Sequence, residues 1–183
     1  MALDPSSSER PRTPRPGTRI GVCVSRFHDE LTGAMLRSAK GELATLGVAE
    51  DDVVVAWVPG TFELPLVAKR LAQRSDVDAV IALGLVLKGE TRHDVVVADS
   101  AASALARVAL DCEKPVLLGV LTCATLDQAR ARALPVAEGG KEDKGREVAR
   151  AAIDVLHALD GLEPRLPEMG FRASLAPGSK DRS

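Results

Sequence analysis

Four short, nearly unbroken apolar runs constrain this chain more than any other feature: "RIGVCV" at 19–24, "DVVVAWV" at 52–58, "DAVIALGLVL" at 78–87 and "PVLLGVL" at 115–121. A strand with one solvated face alternates apolar and polar residues, whereas a strand covered on both faces reads as a continuous run. Between the runs, 30–46, 63–74 and 95–112 read as amphipathic helices, with Leu66, Ala68, Leu71 and Ala72 set against Lys69, Arg70 and Arg74 in the second. Two more helices are expected near 125–134 and 143–159. Strand and helix in alternation imply right-handed crossovers and a parallel sheet between helix layers. The expected fold is therefore α/β, a small doubly wound domain on four strands.

At 183 residues the chain most simply holds one domain with a core of its own. Its aromatics are few: Trp57, Phe27, Phe62 and Phe171, with no tyrosine, so the core must be aliphatic. A net charge of -2 argues against a broad nucleic-acid footprint. Cys23, Cys112 and Cys123 match no zinc or redox spacing, and an odd count suggests free thiols in a reducing compartment. No apolar run reaches the ~18 residues of a membrane span, and residues 1–17 lack the apolar centre of a secretory signal. The expectation is a cytoplasmic protein without membrane or nucleic-acid partners. Residues 1–17, with four prolines, three serines and three arginines, read as a flexible N-terminal segment. The Pro- and Gly-punctuated residues 161–183 read as a C-terminal tail, leaving 18–160 as the domain.

Ligands of such sheets bind outside the carboxyl ends of the strands. The loops there are Ser25–Asp29, Pro59–Glu63, Leu85–Asp94 and Thr122–Thr125, and two of the three phenylalanines, Phe27 and Phe62, fall in them. The first loop lacks the glycine triplet of a dinucleotide fingerprint, and "GLVLKGET" lacks the order of a P-loop. Gly89-Glu90-Thr91 precedes a helix, where free amides suit an anion; the plainer alternative is an N-cap by Thr91 or Asp94. His93 is either a proton shuttle or an exposed histidine at a helix start. Phe27 and Phe62 offer a stacking face for a planar heterocycle, or simply cover the strand ends. Glu63 is an acceptor for ligand hydroxyls or N–H groups, or a first-turn carboxylate of a helix. Cys123 has no neighbour in sequence to activate it.

Taken together, "VSRFHDELT", "WVPGTFELPLVAKRLA", "DAVIALGLVLKGETRHDVVVADSA", "PVLLGVLTCATLDQARARA" and "EDKGREVA" resemble the lumazine synthase family, in order and over about residues 18–159. The resemblance implies a flavodoxin-like three-layer αβα sandwich around a four-stranded parallel sheet. It implies condensation of 5-amino-6-ribitylaminouracil with 3,4-dihydroxy-2-butanone 4-phosphate, without metal or redox cofactor. On the matching positions, Phe27 is the aromatic that stacks on the pyrimidine, and Thr61, Phe62 and Glu63 hold the ribitylaminouracil. Leu85, Val86 and Leu87 contact the pyrimidine through their backbone. Glu90 and Thr91 bind the butanone phosphate together with Arg132, His93 transfers protons, and Lys144 stands near the site. The resemblance also implies a homopentamer in which Leu118 and Arg132 come from the neighbouring subunit, and some members pack twelve pentamers into a shell. Residues 134–145 are about four residues longer than in the short family form, which favours the free pentamer. Asp94 stands where the family usually has an aromatic, Leu118 where it often has Phe, and His28 where it often has Asn. Those departures leave two rivals to the synthase: a paralogue of altered substrate, and a flavin- or pteridine-binding assembly protein without turnover.

Overall fold

The computed structural model describes residues 13–162. The two terminal segments expected from the sequence lie mostly on 1–12 and 163–183, outside the described residues. Strands β1 (Ile20–Ser25), β2 (Val53–Val58), β3 (Ala79–Leu87) and β4 (Val116–Cys123) form one parallel sheet in the order β2-β1-β3-β4. Helices α1 (Asp29–Thr45), α4 (Leu126–Ala133) and α5 (Lys144–Asp160) cover one face, and α2 (Leu64–Ala72) and α3 (His93–Cys112) cover the other. This is the expected three-layer αβα sandwich of flavodoxin-like order.

The continuous apolar runs follow from this layering. Successive side chains of a strand point to opposite faces, so the central strands need apolar residues at every position. Along β3, Ile81, Leu83 and Leu85 join Met35, Leu43, Val148 and Ile153 in one core cluster. The intervening Val80 and Ala82 join Leu64, Ala68, Leu71 and Leu105 in the other. Every residue of β1 is buried, whereas the edge strands β2 and β4 are partly exposed.

Helix α5 is held against α1 by an unusually close approach. A Cβ on Gly145 would lie 2.1 Å from the Met35 carbonyl oxygen, so only glycine permits this crossing. Beside it Glu42 is buried and takes a hydrogen bond from Arg150 Nε at 2.6 Å and an ion pair with Arg146 Nε at 3.1 Å. Asp143 caps α5 by accepting from the Arg146 N–H at 3.0 Å and also accepts from Ser38 Oγ at 2.6 Å. The long connection before α5 contains a 3-10 turn at Val136–Glu138 closed by Gly139, whose φ of 93° is left-handed.

At the amino ends of the strands, Arg19 bonds Asp76 at 2.8 Å and Asp52 at 3.1 Å, and Arg74 pairs with Asp76 at 2.7 Å. A cavity of about 620 Å3 lies at this end, lined by charged and apolar residues such as Asp78, Lys114, Leu156 and His157. At the other end the structure moves one expected boundary: α3 begins at His93 instead of residue 95. His93 is therefore the first helical residue. No side chain caps this helix at Arg92, and the expected cap reduces to a long contact of 3.4 Å from the His93 N–H to Thr91 Oγ1.

Candidate active site

The chain leaves β1 for α1 on one face and leaves β3 for α3 on the other, so the two loops part at the carboxyl ends of adjacent strands. A crevice at such a switch point is where ligands of this architecture bind. Here it forms a cavity of about 710 Å3. Its floor is the end of β3. Pairing of β1 with β3 stops at Val24 opposite Leu83, while β3 continues beside β4 to Leu87 opposite Cys123. Residues 84–87 thus run past β1, and peptide groups on that side have no strand partner. Leu85, Val86 and Leu87 all border the cavity.

Two loops make one wall. The Arg26 N–H donates to the Val58 carbonyl at 2.8 Å and the Phe27 N–H to the Pro59 carbonyl at 3.1 Å, which ties the loop after β1 to the loop after β2. Phe27 is 67% exposed and meets the His28 ring edge-on, with centroids 4.8 Å apart. His28 itself has φ 63° and ψ 46°, a left-handed conformation in which Asn, Asp and His are enriched. Thr61 is buried, and its hydroxyl points at the Leu85 carbonyl at 3.4 Å. A Cβ on Gly84 would come within 2.9 Å of that hydroxyl, so the glycine makes room for Thr61. Phe62 is largely exposed at the cavity rim. Glu63 commits Oε2 to the Gly60 N–H at 2.9 Å, an interaction that stabilises the turn and orients the carboxylate.

The opposite wall is the β3–α3 loop and the first turns of α3. The Lys88 N–H donates to the Cys123 carbonyl at 2.9 Å and continues the ladder one residue past β3. Gly89, Thr91, His93 and Asp94 line the cavity, followed by Val96 and Val97. A Cβ on Gly89 would meet nothing within 4 Å, so neither packing nor backbone torsion demands glycine there. The valines were not expected at the site. Their signal was present in the sequence: three consecutive β-branched residues open a helix that gains nothing from them in propensity.

Of the residues singled out from sequence, Phe27, Thr61, Phe62, Glu63, Leu85, Val86, Leu87, Thr91 and His93 converge on this cavity, and Glu90, Leu118, Arg132 and Lys144 do not border it within one chain. Glu90 is exposed on the same loop. Leu118 lies on edge strand β4 and is 47% exposed. Arg132 stands on α4, donating to the Gln128 carbonyl at 3.2 Å with Glu142 at 3.7 Å. It faces Cys123, whose thiol pKa is pushed up mainly by burial, with the Arg132 charge opposing the rise and Glu142 adding to it. Lys144 opens α5 and pairs with Glu147 at 2.7 Å.

Among the described residues no group of three His, Cys, Asp or Glu side chains is placed to hold a metal ion, and no helix is long and apolar enough to cross a membrane. The cavity instead combines an aromatic face, an unpaired strand edge, a carboxylate and an imidazole at a helix start. Such a set can stack a planar heterocycle, read its edge through peptide groups and move a proton.

The sequence profile of the 6,7-dimethyl-8-ribityllumazine synthase family matches residues 17–160. The chain belongs to that family. It is 48% identical over 147 residues to proteins named 6,7-dimethyl-8-ribityllumazine synthase from two strains of Thermus thermophilus, covering 80% of this chain and 90% of each relative. All three loops that shape the cavity fall inside the region matched to the lumazine synthase family, and the loop at Thr122–Thr125 does not border it.

Proposed function

We propose that this chain is a 6,7-dimethyl-8-ribityllumazine synthase. It condenses the amine of 5-amino-6-ribitylaminouracil with the ketone of 3,4-dihydroxy-2-butanone 4-phosphate, eliminates phosphate and closes the second ring with loss of water. The observation that carries this reading is the convergence of Phe27, Glu63, the free edge of β3 and His93 on one cavity of a family member. Phe27 stacks on the pyrimidine, and the peptide groups of Leu85–Leu87 pair with its edge. Thr61, Phe62 and Glu63 hold the ribityl side, with the Glu63 carboxylate accepting from its hydroxyls.

His93 moves the protons. Imine formation requires a proton to reach the departing hydroxyl, and phosphate elimination requires one to leave carbon, so an imidazole, able both to donate and to accept a proton, suits both steps. Glu90 and Thr91 border the phosphate, with the Thr91 hydroxyl and nearby amides at the start of α3 as donors. The main positive charge for the phosphate comes from Arg132 of a neighbouring subunit, with Leu118 closing the pyrimidine pocket from the same neighbour and Lys144 adding charge nearby. The reading therefore includes a homopentamer, and the long connection at 134–145 favours free pentamers over a shell. It also includes a cytoplasmic location and a core domain at 18–160 with N- and C-terminal segments outside it.

The test follows the lumazine chromophore with both substrates. His93→Ala lowers kcat by about a hundredfold, whereas Arg132→Ala raises KM for the phosphorylated substrate by about tenfold. Absence of product from the unaltered protein would refute the synthase reading. A light-scattering mass of one subunit, or of sixty, would refute the free pentamer.

A further inference from the structure

The imidazole of His28 has no part in the chemistry described above, yet it borders the cavity beside the aromatic assigned to stack on the heterocycle. Its backbone lies in the left-handed region, at φ 63° and ψ 46°, which few residues other than glycine adopt. His28 stands at the N-cap position of α1, where its carbonyl accepts from the Leu31 and Thr32 N–H groups, each at 3.0 Å. Its side chain makes no capping hydrogen bond, although a short polar residue such as Asn is the better cap. The ring instead meets Phe27, with centroids 4.8 Å apart and planes at 76°. Aromatic pairs favour this edge-to-face arrangement. Phe27 needs such a contact. It is 67% exposed on a loop, and the bond from its N–H to the Pro59 carbonyl fixes its main chain but not its ring. A ring left free to rotate loses that freedom when it stacks on a ligand, which weakens binding.

We infer that His28 is a positioning residue for the ring of Phe27, holding the stacking face of the cavity in place before the aminopyrimidine arrives. The anchored start of α1 carries the imidazole, and the imidazole steadies the phenyl ring. The ligand class follows from that ring: its face suits a planar heterocycle and offers little to the open-chain, anionic butanone phosphate. The inference rests on the synthase reading for the identity of the heterocycle. It deepens that reading at a position where the family often has Asn, a residue that tolerates the same backbone and lacks the ring.

The experiment is a double-mutant cycle on Phe27→Ala and His28→Asn in the full chain. Calorimetry measures binding of 5-amino-6-ribitylaminouracil alone, and steady-state kinetics give KM for each substrate. His28→Asn should weaken aminopyrimidine binding about fivefold and raise its KM alike, with KM for the butanone phosphate within about twofold. In the Phe27→Ala background the same change should have no further effect. Phe27→Leu takes the place of Phe27→Ala where the latter binds too weakly to measure. The denaturation midpoint of His28→Asn should not fall, because Asn tolerates the backbone and can cap α1, whereas loss of a merely structural imidazole would lower it. Unchanged aminopyrimidine binding in His28→Asn overturns the inference. So does an equal loss with and without Phe27, an effect confined to the phosphorylated substrate, or a loss that tracks a lower midpoint. If the unaltered protein binds the aminopyrimidine but forms no product, the synthase reading fails while the cycle still decides the role of His28. If it binds no aminopyrimidine, both fall.

Discussion

Gly84 occupies a point where the packing of β3 and the shape of the cavity meet. An added methyl there would lie 2.9 Å from Thr61 Oγ1 and 3.0 Å from Leu64 Cδ1, both closer than ordinary contact. Overpacking of this kind costs about 1–3 kcal/mol, and the group that must yield is the turn carrying Phe62 and Glu63. Gly84→Ala should therefore lower the denaturation midpoint and raise KM for the aminopyrimidine together, as chemical unfolding and steady-state kinetics would show. A loss of stability with unchanged KM would mean that the strain is absorbed by Leu64 instead. Cys23 shows the opposite situation, a reactive group silenced by its place. Burial pushes its thiol up to about 12, so it should resist alkylation at pH 8 until the protein unfolds, a difference that mass spectrometry can follow. His28 is a third case. The family often has Asn at this position, and the left-handed backbone accepts either residue, so that departure needs no compensating change.

The elements were legible in the sequence to within a residue or two because central strands covered on both faces leave a continuous apolar trace. The two-residue shift at the start of α3 is the one that touches the site. The charges of residues 88–94 read as loop and the helix was expected to open at Val95, so His93 was expected outside the helix that it begins. Much of the cavity lining was legible too, since Phe27 sits in a loop, and His93 just after one, whose place follows from parallel strands. Thr91 or Asp94 was the alternative reading as a cap, and α3 has no side-chain cap at all. Arg132, Leu118 and Lys144 were placed at the site chiefly through the family pattern, and in one chain they stay outside the pocket. The pairing of α1 with α5 gives the element-scale prediction. Gly145→Ala must drive the two helices apart at Met35, so it should cost about 1–3 kcal/mol or more, with chemical unfolding as the check. A neutral effect would mean that α5 can slide along α1 despite the Glu42 bonds to Arg146 and Arg150.

Over the described residues, the ligand loops and one ion-pair network lie at opposite poles of the sheet. The ligand loops gather at the carboxyl ends of the strands, whereas Arg19, Asp52, Arg74 and Asp76 form their network at the amino ends. Hydrogen bonds from Arg74 and then Arg19 hold the Asp76 carboxyl well below the usual carboxylate range. Its folded value is lower than its unfolded value, so its stabilising effect is complete above the ordinary aspartate value of about 3.9 and is lost as the pH falls below it. The network is solvent-exposed, and salt should weaken the effect. Asp76→Asn should therefore flatten the loss of stability below about pH 4 while leaving turnover at neutral pH unaltered, as denaturant midpoints across pH and the lumazine assay would report. The projection of β3 beyond β1 has a different kind of consequence. Whatever docks along residues 84–87 meets main chain, so evolution can vary Val86 and Leu87 without erasing that contact. An alanine scan would pass over it in silence, whereas replacing one amide by an ester in this stretch would expose it.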